Sequence, residues 1–277
     1  MSVLSTSAAG GATTKNERAG TDARVAGGEP VQVVSEADKR FFDTFGFVQF
    51  KGLFAPDIGR IIEGFEEVFE AELGRTFDTN MPLHFNEKRS IVPTFATRSD
   101  KLRGLIDDPR TVNVVSTLMD KPFEYSESDG NLFYCDTSWH PDSYGAPMTQ
   151  LHIKLSLYLD PLHGENGAIR VIPGTNFWES EYADAVRTGV YEPDQIESFF
   201  GVKPDQVPSW TLESEPGDLI VWNFRTVHAS FNGGERRRLF SINFREELAP
   251  DDEAGRAERI AAENMARAAM PEFYKDL

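Results

Sequence analysis

One cysteine, Cys135, stands in a chain of 277 residues. A lone thiol excludes an intrachain disulfide and a cysteine-built zinc cage, and it fits a reducing cytoplasm. Long apolar runs are missing too, none approaching the roughly 20 residues that a membrane-spanning helix needs. The N-terminus lacks the charged-then-apolar order of a secretory signal, so a cytoplasmic protein is expected. Basic charge is scarce: 28 Lys and Arg face 45 Asp and Glu, for a formal net charge of −17. Nucleic acid and anionic membrane both demand a basic face, and neither is an expected partner.

At 40% apolar residues the chain can bury a large core. Residues 1–30 are small, polar and glycine-rich, a composition that predicts a disordered tail before a single domain over 31–277. Ser35 reads as the N-cap of a short helix with Phe41, Phe42 and Phe45 on one side, followed by a strand, FVQFKG. Ile58, Ile61, Ile62, Phe65, Val68, Phe69 and Leu73 repeat at three and four residues, the spacing of a helix packed on a sheet. Asp108 and Pro109 open another helix, carrying Val112, Val115 and Leu118.

From Phe123 the punctuation changes to short strand-like runs: FEYSES, NLFYC, LHIKLSLYL, AIRVI, DLIVWN, TVHAS and RRLFSINF. Gly164 to Gly167 and Gly233-Gly234 read as hairpin turns. The expected fold is mainly β with flanking helices around a closed double-stranded β-helix, a cupin-like jelly roll. A long insertion over about 177–208, bearing Trp178, Tyr182, Tyr191, Phe199 and Phe200, interrupts the strands and reads as a lid. An Ala-, Glu- and Arg-rich helix from Asp251 to Met270 closes the chain.

His140 and Asp142 lie one residue apart at a strand end. In extended backbone their side chains point the same way, because direction alternates with period two. One imidazole and one carboxylate facing a common point make two thirds of a 2-His-1-carboxylate site, which holds Fe(II) and leaves positions open. The third ligand is expected on a later strand brought alongside, and His228 in EPGDLIVWNFRTVHAS is best placed. His84, His152 and His163 compete: the first precedes the strand region, the second is on an alternating strand, and the third sits beside a turn.

Four stretches together carry a resemblance: Trp139-His140-Pro141-Asp142; the run Gly164 to Thr175, GENGAIRVIPGT; the turn Glu215-Pro216-Gly217-Asp218; and His228 followed by Arg236 to Arg238. From about residue 36 to 246 the chain resembles the phytanoyl-CoA dioxygenase family of iron(II)- and 2-oxoglutarate-dependent oxygenases. The resemblance implies that His140, Asp142 and His228 are the iron ligands, with 2-oxoglutarate as co-substrate and O2 as oxidant. It also implies that an arginine on the strand after the distal histidine binds the far carboxylate of the keto acid. Of the three consecutive arginines, Arg237 shares a strand face with Leu239, Ser241 and Asn243, while Arg238 shares the apolar face of Phe240, Ile242 and Phe244. Arg237 is therefore the inward choice, with Arg238 in reserve; a guanidinium grips a carboxylate with two parallel hydrogen bonds. Ser230 would donate to the same carboxylate, as in relatives, and Asn131 and Thr137 would contact the other end of the co-substrate. The implied reaction is hydroxylation of a C–H bond with succinate and CO2 as co-products. A carboxylate at Asp142 argues against halogenation, whose enzymes carry Gly or Ala there; desaturation and ring closure use the same ligands.

The substrate is read from less. Lys88, Arg89, Arg98, Lys101 and Arg103 cluster in a stretch with one acid, Asp100, and the expectation is that part of it, Arg98 above all, reads an anionic group. A CoA thioester would want a larger basic surface, so a small metabolite, amino-acid-like or a natural-product intermediate, is the expected substrate. Trp139, Tyr144, Trp178, Tyr182 and Trp222 are candidate pocket aromatics. Two readings from other classes stand beside this one: a catalytically silent jelly roll that binds metal or ligand, and a cupin-like enzyme that uses oxygen without a keto acid.

Overall fold

The computed structural model describes residues 31–83, 88–143, 148–190 and 192–269. The expectations for the 1–30 tail, His84, Tyr144 and Tyr191 lie outside the described residues. Helices are α1 (Glu36–Phe45), α2 (Ile58–Leu73), α3 (Asp100–Arg103), α4 (Pro109–Met119), α5 (Glu181–Val190), α6 (Ile196–Phe200) and α7 (Glu253–Ala269). Strands are β1 (Phe47–Phe50), β2 (Arg89–Pro93), β3 (Phe123–Phe133), β4 (Thr137–His140), β5 (His152–Tyr158), β6 (Ile169–Val171), β7 (Trp210–Leu212), β8 (Leu219–Asn223), β9 (His228–Ser230) and β10 (Arg237–Glu246).

Local chemistry sets the helix ends where the sequence places them. Ser35 and Asp38 form a reciprocal capping box at α1, and Asp108 accepts from the Arg110 N–H at the start of α4. Of the three α1 phenylalanines only Phe42 is buried; Phe41 and Phe45 stack at 4.8 Å on the exposed side. Phe41 and Phe42 are a hundred degrees apart on a helix and cannot share one narrow face.

Two antiparallel sheets make the core: six strands in the order β1-β8-β5-β10-β3-β2, and four in the order β4-β9-β6-β7. The outer face of the large sheet (Leu132, Leu155, Leu157, Val221, Phe240, Ile242, Phe244) packs against Ile61, Phe65, Val68 and Phe69 of α2 and Val114, Val115 and Leu118 of α4. Its inner face meets the small sheet through Phe47, Tyr158, Ile220, Trp222 and Leu239 against Ile169, Val171 and Leu212. The sheets remain separate, so this is an open jelly roll and not a closed barrel.

Two local readings are corrected. The Gly164–Gly167 and Gly233-Gly234 stretches are not hairpin turns: each joins a strand of one sheet to a strand of the other, β5 to β6 and β9 to β10. The runs FEYSES and NLFYC are one strand, β3, passing straight through Gly130. The Phe95 ring occupies the space of a side chain there, since a Cβ on Gly130 would lie 2.2 Å from it. Gly130→Val should lower stability by about 2–3 kcal/mol through overpacking, a fall of roughly 5–10 °C in the melting temperature of the metal-free protein. Unchanged melting would mean that the ring yields. In the insertion over about 177–208, Val186 and Val190 of α5 and Ile196 of α6 pack with Val207 on Trp139, Val227, Ala229 and Phe231 of the small sheet and its flanks.

Candidate metal centre

Antiparallel pairing of β4 with β9 puts His140 directly opposite His228, which is how two residues far apart in the chain come together. The register slips by one residue between Thr137 and His140, so that Thr137 faces Ser230 while His140 faces His228. Residues three apart in a regular strand point to opposite faces; the bulge turns Thr137 and His140 to the same inner side. Trp139 and Ala229 then face out, toward α5 and α6.

One ligand atom from each of His140, Asp142 and His228 lies within 4.8 Å of the other two. The imidazole rings are 4.4 Å apart between centroids, and His228 Nε2 is 3.8 Å from Asp142 Oδ1. His140 Nδ1 is 2.7 Å from the Ser138 carbonyl and His228 Nδ1 is 2.9 Å from the Thr226 carbonyl. A carbonyl only accepts, so each Nδ1 carries the proton and each Nε2 keeps the lone pair a metal needs. Asp142 is held by Trp222, whose indole N–H donates to Oδ2 at 2.9 Å, and by Lys154, whose Nζ lies 3.6 Å from Oδ1.

Burial keeps both imidazoles neutral: it outweighs the opposing pull of Asp142, lowers His140, and pushes His228 down to about 4. Burial alone would raise the Asp142 carboxyl, but Lys154, His228, His140 and the Trp222 N–H together hold it well below the usual carboxylate range. The donor set at neutral pH is thus two neutral imidazoles and one carboxylate. A stability consequence follows for the metal-free protein. A folded-state pKa depressed below the free histidine value means that the unfolded chain binds more protons between about pH 4 and 6.5. Stability should be full above about pH 6.5 and be lost as pH falls toward 4, by on the order of 3 kcal/mol from His228. Half-buried His152, pushed down to about 3, adds to the loss. Asp142, with its depressed carboxyl, stays ionised throughout that window. Urea unfolding midpoints measured from pH 4.5 to 7.5 check the slope; a flat profile would contradict neutral buried imidazoles.

Arg237 is the arginine of its trio turned inward, at 2% exposure. Its Nη2 donates to Ser230 Oγ at 2.6 Å and to the Cys135 carbonyl at 2.9 Å, while the buried Nη1 has no hydrogen-bond partner. Ser230 is steadied by Thr137, whose Oγ1 accepts from the Ser230 N–H at 2.9 Å. Gly233 and Gly167 keep the guanidinium open: a Cβ would lie 2.1 Å from Nη1 on the first and 2.8 Å on the second. That close approach, not a hairpin, is what these glycines serve. Arg238 points to the other face, onto Asp160 and Glu66, and Arg236 caps the Thr79 and Met81 carbonyls.

The basic cluster divides. Arg89 lies on the inner face, its Nε donating to the buried Asn131 Oδ1 at 2.7 Å. Arg98 pairs with Glu72 at 2.6 Å and Lys101 with Glu63 and Glu67, all in the helical layer on the far side of the large sheet, so Arg98 does not reach the triad. Trp178 borders a pocket of about 590 Å³ with Phe177, Met148, Asn176 and Arg225. Nearby, the Ser143 N–H donates to the Phe224 carbonyl, where the chain leaving Asp142 meets the chain entering His228. His152 and His163 stand outside the triad, the one half-buried beside Phe224 and the other exposed. Sequence reasoning passed over Lys154, Glu127 and Asp129. The alternation Glu127, Asp129, Asn131 on β3, three polar residues at period two, was the available signal.

A search of curated proteins finds no match to this chain. The profile of the family described as Phytanoyl-CoA dioxygenase (PhyH) matches residues 42–239. Among solved structures, the non-heme alpha ketoglutarate dependent carbocyclase SnoK from nogalamycin biosynthesis superposes with a TM-score of 0.60 at 20% identity, over 84% of this chain and 94% of that one. EctD from S. alaskensis with bound Fe superposes with a TM-score of 0.59 at 16% identity, over 78% of each chain. The epimerase SnoN in complex with Fe3+, alpha ketoglutarate and nogalamycin RO gives 0.58 at 17% identity, over 76% of this chain and 83% of that one. At these identities the likeness is one of fold.

Proposed function

The chain belongs to the phytanoyl-CoA dioxygenase (PhyH) family, and we propose that it is an iron(II)- and 2-oxoglutarate-dependent oxygenase that hydroxylates an unactivated C–H bond of a small metabolite. His140, Asp142 and His228 would hold the iron, two neutral imidazoles and a carboxylate being the donor set Fe(II) favours. Arg237 and Ser230 would anchor the far carboxylate of 2-oxoglutarate. The fit rests on the buried Arg237 Nη1: a cationic donor without a partner, kept open by Gly167 and Gly233, suits an anion. When bound, iron and the keto acid supply the oxidising chemistry, dioxygen being consumed and 2-oxoglutarate giving succinate and CO2.

The residues of this chain do the rest. The Ser138 and Thr226 carbonyls fix which imidazole nitrogen carries the proton. Trp222 and Lys154 hold the Asp142 carboxylate ionised and oriented. Asn131, tied to Arg89 and Asp129, and Thr137, tied to Ser230, complete the polar wall around the co-substrate. The apolar contact between the sheets, Trp222 and Leu239 against Val171, keeps the neighbourhood dry.

The observation that carries the reading is the arrangement of His140, Asp142 and His228 on the same inner wall as a buried guanidinium whose Nη1 has no hydrogen-bond partner. A silent metal-binding module and a keto-acid-free cupin-like enzyme both leave Arg237 without a purpose. Adding Fe(II) and 2-oxoglutarate anaerobically tests it: the weak visible charge-transfer band of the chelate should appear, and should need both. Iron binding with no band on adding the keto acid would favour the cupin-like alternative. Once a substrate is found, product mass separates hydroxylation, which gains an oxygen, from desaturation or ring closure, which lose two hydrogens.

A further inference from the structure

The inner face of the large sheet carries a row of side chains that ends on the metal-site carboxylate. Register places Glu127 opposite Asn243, Asn243 opposite Lys154 and Lys154 opposite Trp222, and the last two both contact Asp142. Glu127 stands at the far end of this row, two strand spacings or about 10 Å from the Lys154 backbone. Glu127 is exposed to solvent, and its carboxyl is raised above the usual range by the protein packed around it and by the charge of Asp129, with Lys154 opposing. Lys154 turns toward Asp142, and among the described residues no cation pairs with Glu127, which accepts a single hydrogen bond, from Asn243 Nδ2 at 3.2 Å. Asp129, next on the same face, is already engaged by the Ser241 hydroxyl and the Asn131 amide.

A second observation points to a ligand that donates. Asn243, 2% exposed, leaves its Oδ1 without a partner, and Ser156, fully buried one position along on the neighbouring strand, leaves its hydroxyl without one. Beside Glu127, Asn243 Oδ1 can only accept, and the Ser156 hydroxyl can accept as well as donate. A carboxylate next to a second acid, with no cation at ion-pair distance and Lys154 acting only at longer range, is compensated when a cation arrives.

We propose that the substrate carries an alkylammonium group that docks on Glu127, with the Asn243 amide alongside, and extends from there toward the His140–Asp142–His228 triad. This reverses the charge expected from the basic cluster, whose Arg98 and Lys101 are paired in the helical layer. It rests on the proposed function for the reaction but not for the binding. The span of about 10 Å suits a small amine, not a CoA thioester.

The test is calorimetric titration of the full chain with three probes of one shape: cyclohexylmethylammonium, cyclohexanecarboxylate and cyclohexylmethanol. Titrations are run anaerobically with Fe(II) and 2-oxoglutarate, and again without them. The ammonium probe should bind about tenfold tighter than either of the others, the ratio one charge-assisted hydrogen bond is worth, and Glu127→Gln should erase that preference. Equal binding of the three probes, no binding of the ammonium, or a preference that survives Glu127→Gln overturns the proposal. The wild-type order is decisive even if the variant does not fold. Failure of the iron and keto-acid reading would be seen separately, as a missing visible band in the same sample.

Discussion

Arg237→Met raises the 2-oxoglutarate concentration needed for half-saturation by about 100-fold, the loss typical when one partner of a buried charge pair is truncated, while the metal-free protein melts no lower than wild type. The two halves of this result come from one geometry. Arg237 is 2% exposed, and burial lowers its pKa because the charge is poorly compensated. In the ligand-free protein it has only Ser230 and the Cys135 carbonyl, with Nη1 unpaired. Removing the side chain forfeits hydrogen bonds worth about 1 kcal/mol each but relieves a buried charge whose desolvation costs several kcal/mol, so an apolar side chain of similar length is tolerated. An arginine that served only to brace the sheets would give the opposite pattern, a lower melting temperature with co-substrate affinity little changed. Melting curves and succinate formation against 2-oxoglutarate concentration measure the two halves independently.

Asp142→Ala abolishes turnover. Substitution of groups that merely support a metal ligand costs 10- to 100-fold, and the loss of a ligand should exceed about 100-fold in both iron affinity and succinate formation. The physical reason goes beyond the missing bond. With the carboxylate gone, Lys154 still places a positive charge near the two imidazoles, and it repels the incoming dication. Iron titration of the variant checks the affinity, and succinate assay checks the rate. Wild-type iron affinity in Asp142→Ala would remove Asp142 from the ligand set.

Much of the site was legible because its logic is local. The one-residue spacing put His140 near Asp142, although β4 ends at His140 and Asp142 stands in the turn after it, and the period of two separated Arg237 from Arg238 by the apolar company each keeps on β10. The caps at Ser35 and Asp108 and the apolar stripe of α2 were readable for the same reason: the partners are three or four residues away. What escaped depends on which strands pair. Gly233 reads as a turn until the connection is seen to cross between sheets and the guanidinium is seen lying against it. Arg89 and Arg98 look alike in the sequence, yet Arg89 lies on β2 with its side chain on Asn131, and Arg98 lies in the turn after β2, paired with Glu72. The bulge in β4 that aims Thr137 at Ser230 leaves no mark on composition. Glu127 could have been suspected from alternation, but its place in line with Lys154 and Asp142 follows from the register across four strands.

Anomalous diffraction at the iron edge, from crystals grown anaerobically with ferrous iron and 2-oxoglutarate, reads the central geometry directly. One peak is predicted, within bonding distance of Nε2 of His140, Nε2 of His228 and a carboxylate oxygen of Asp142, with the far carboxylate of the keto acid on Arg237. A peak coordinated by other side chains, or keto acid seated on Arg237 with iron absent from these three, would contradict it.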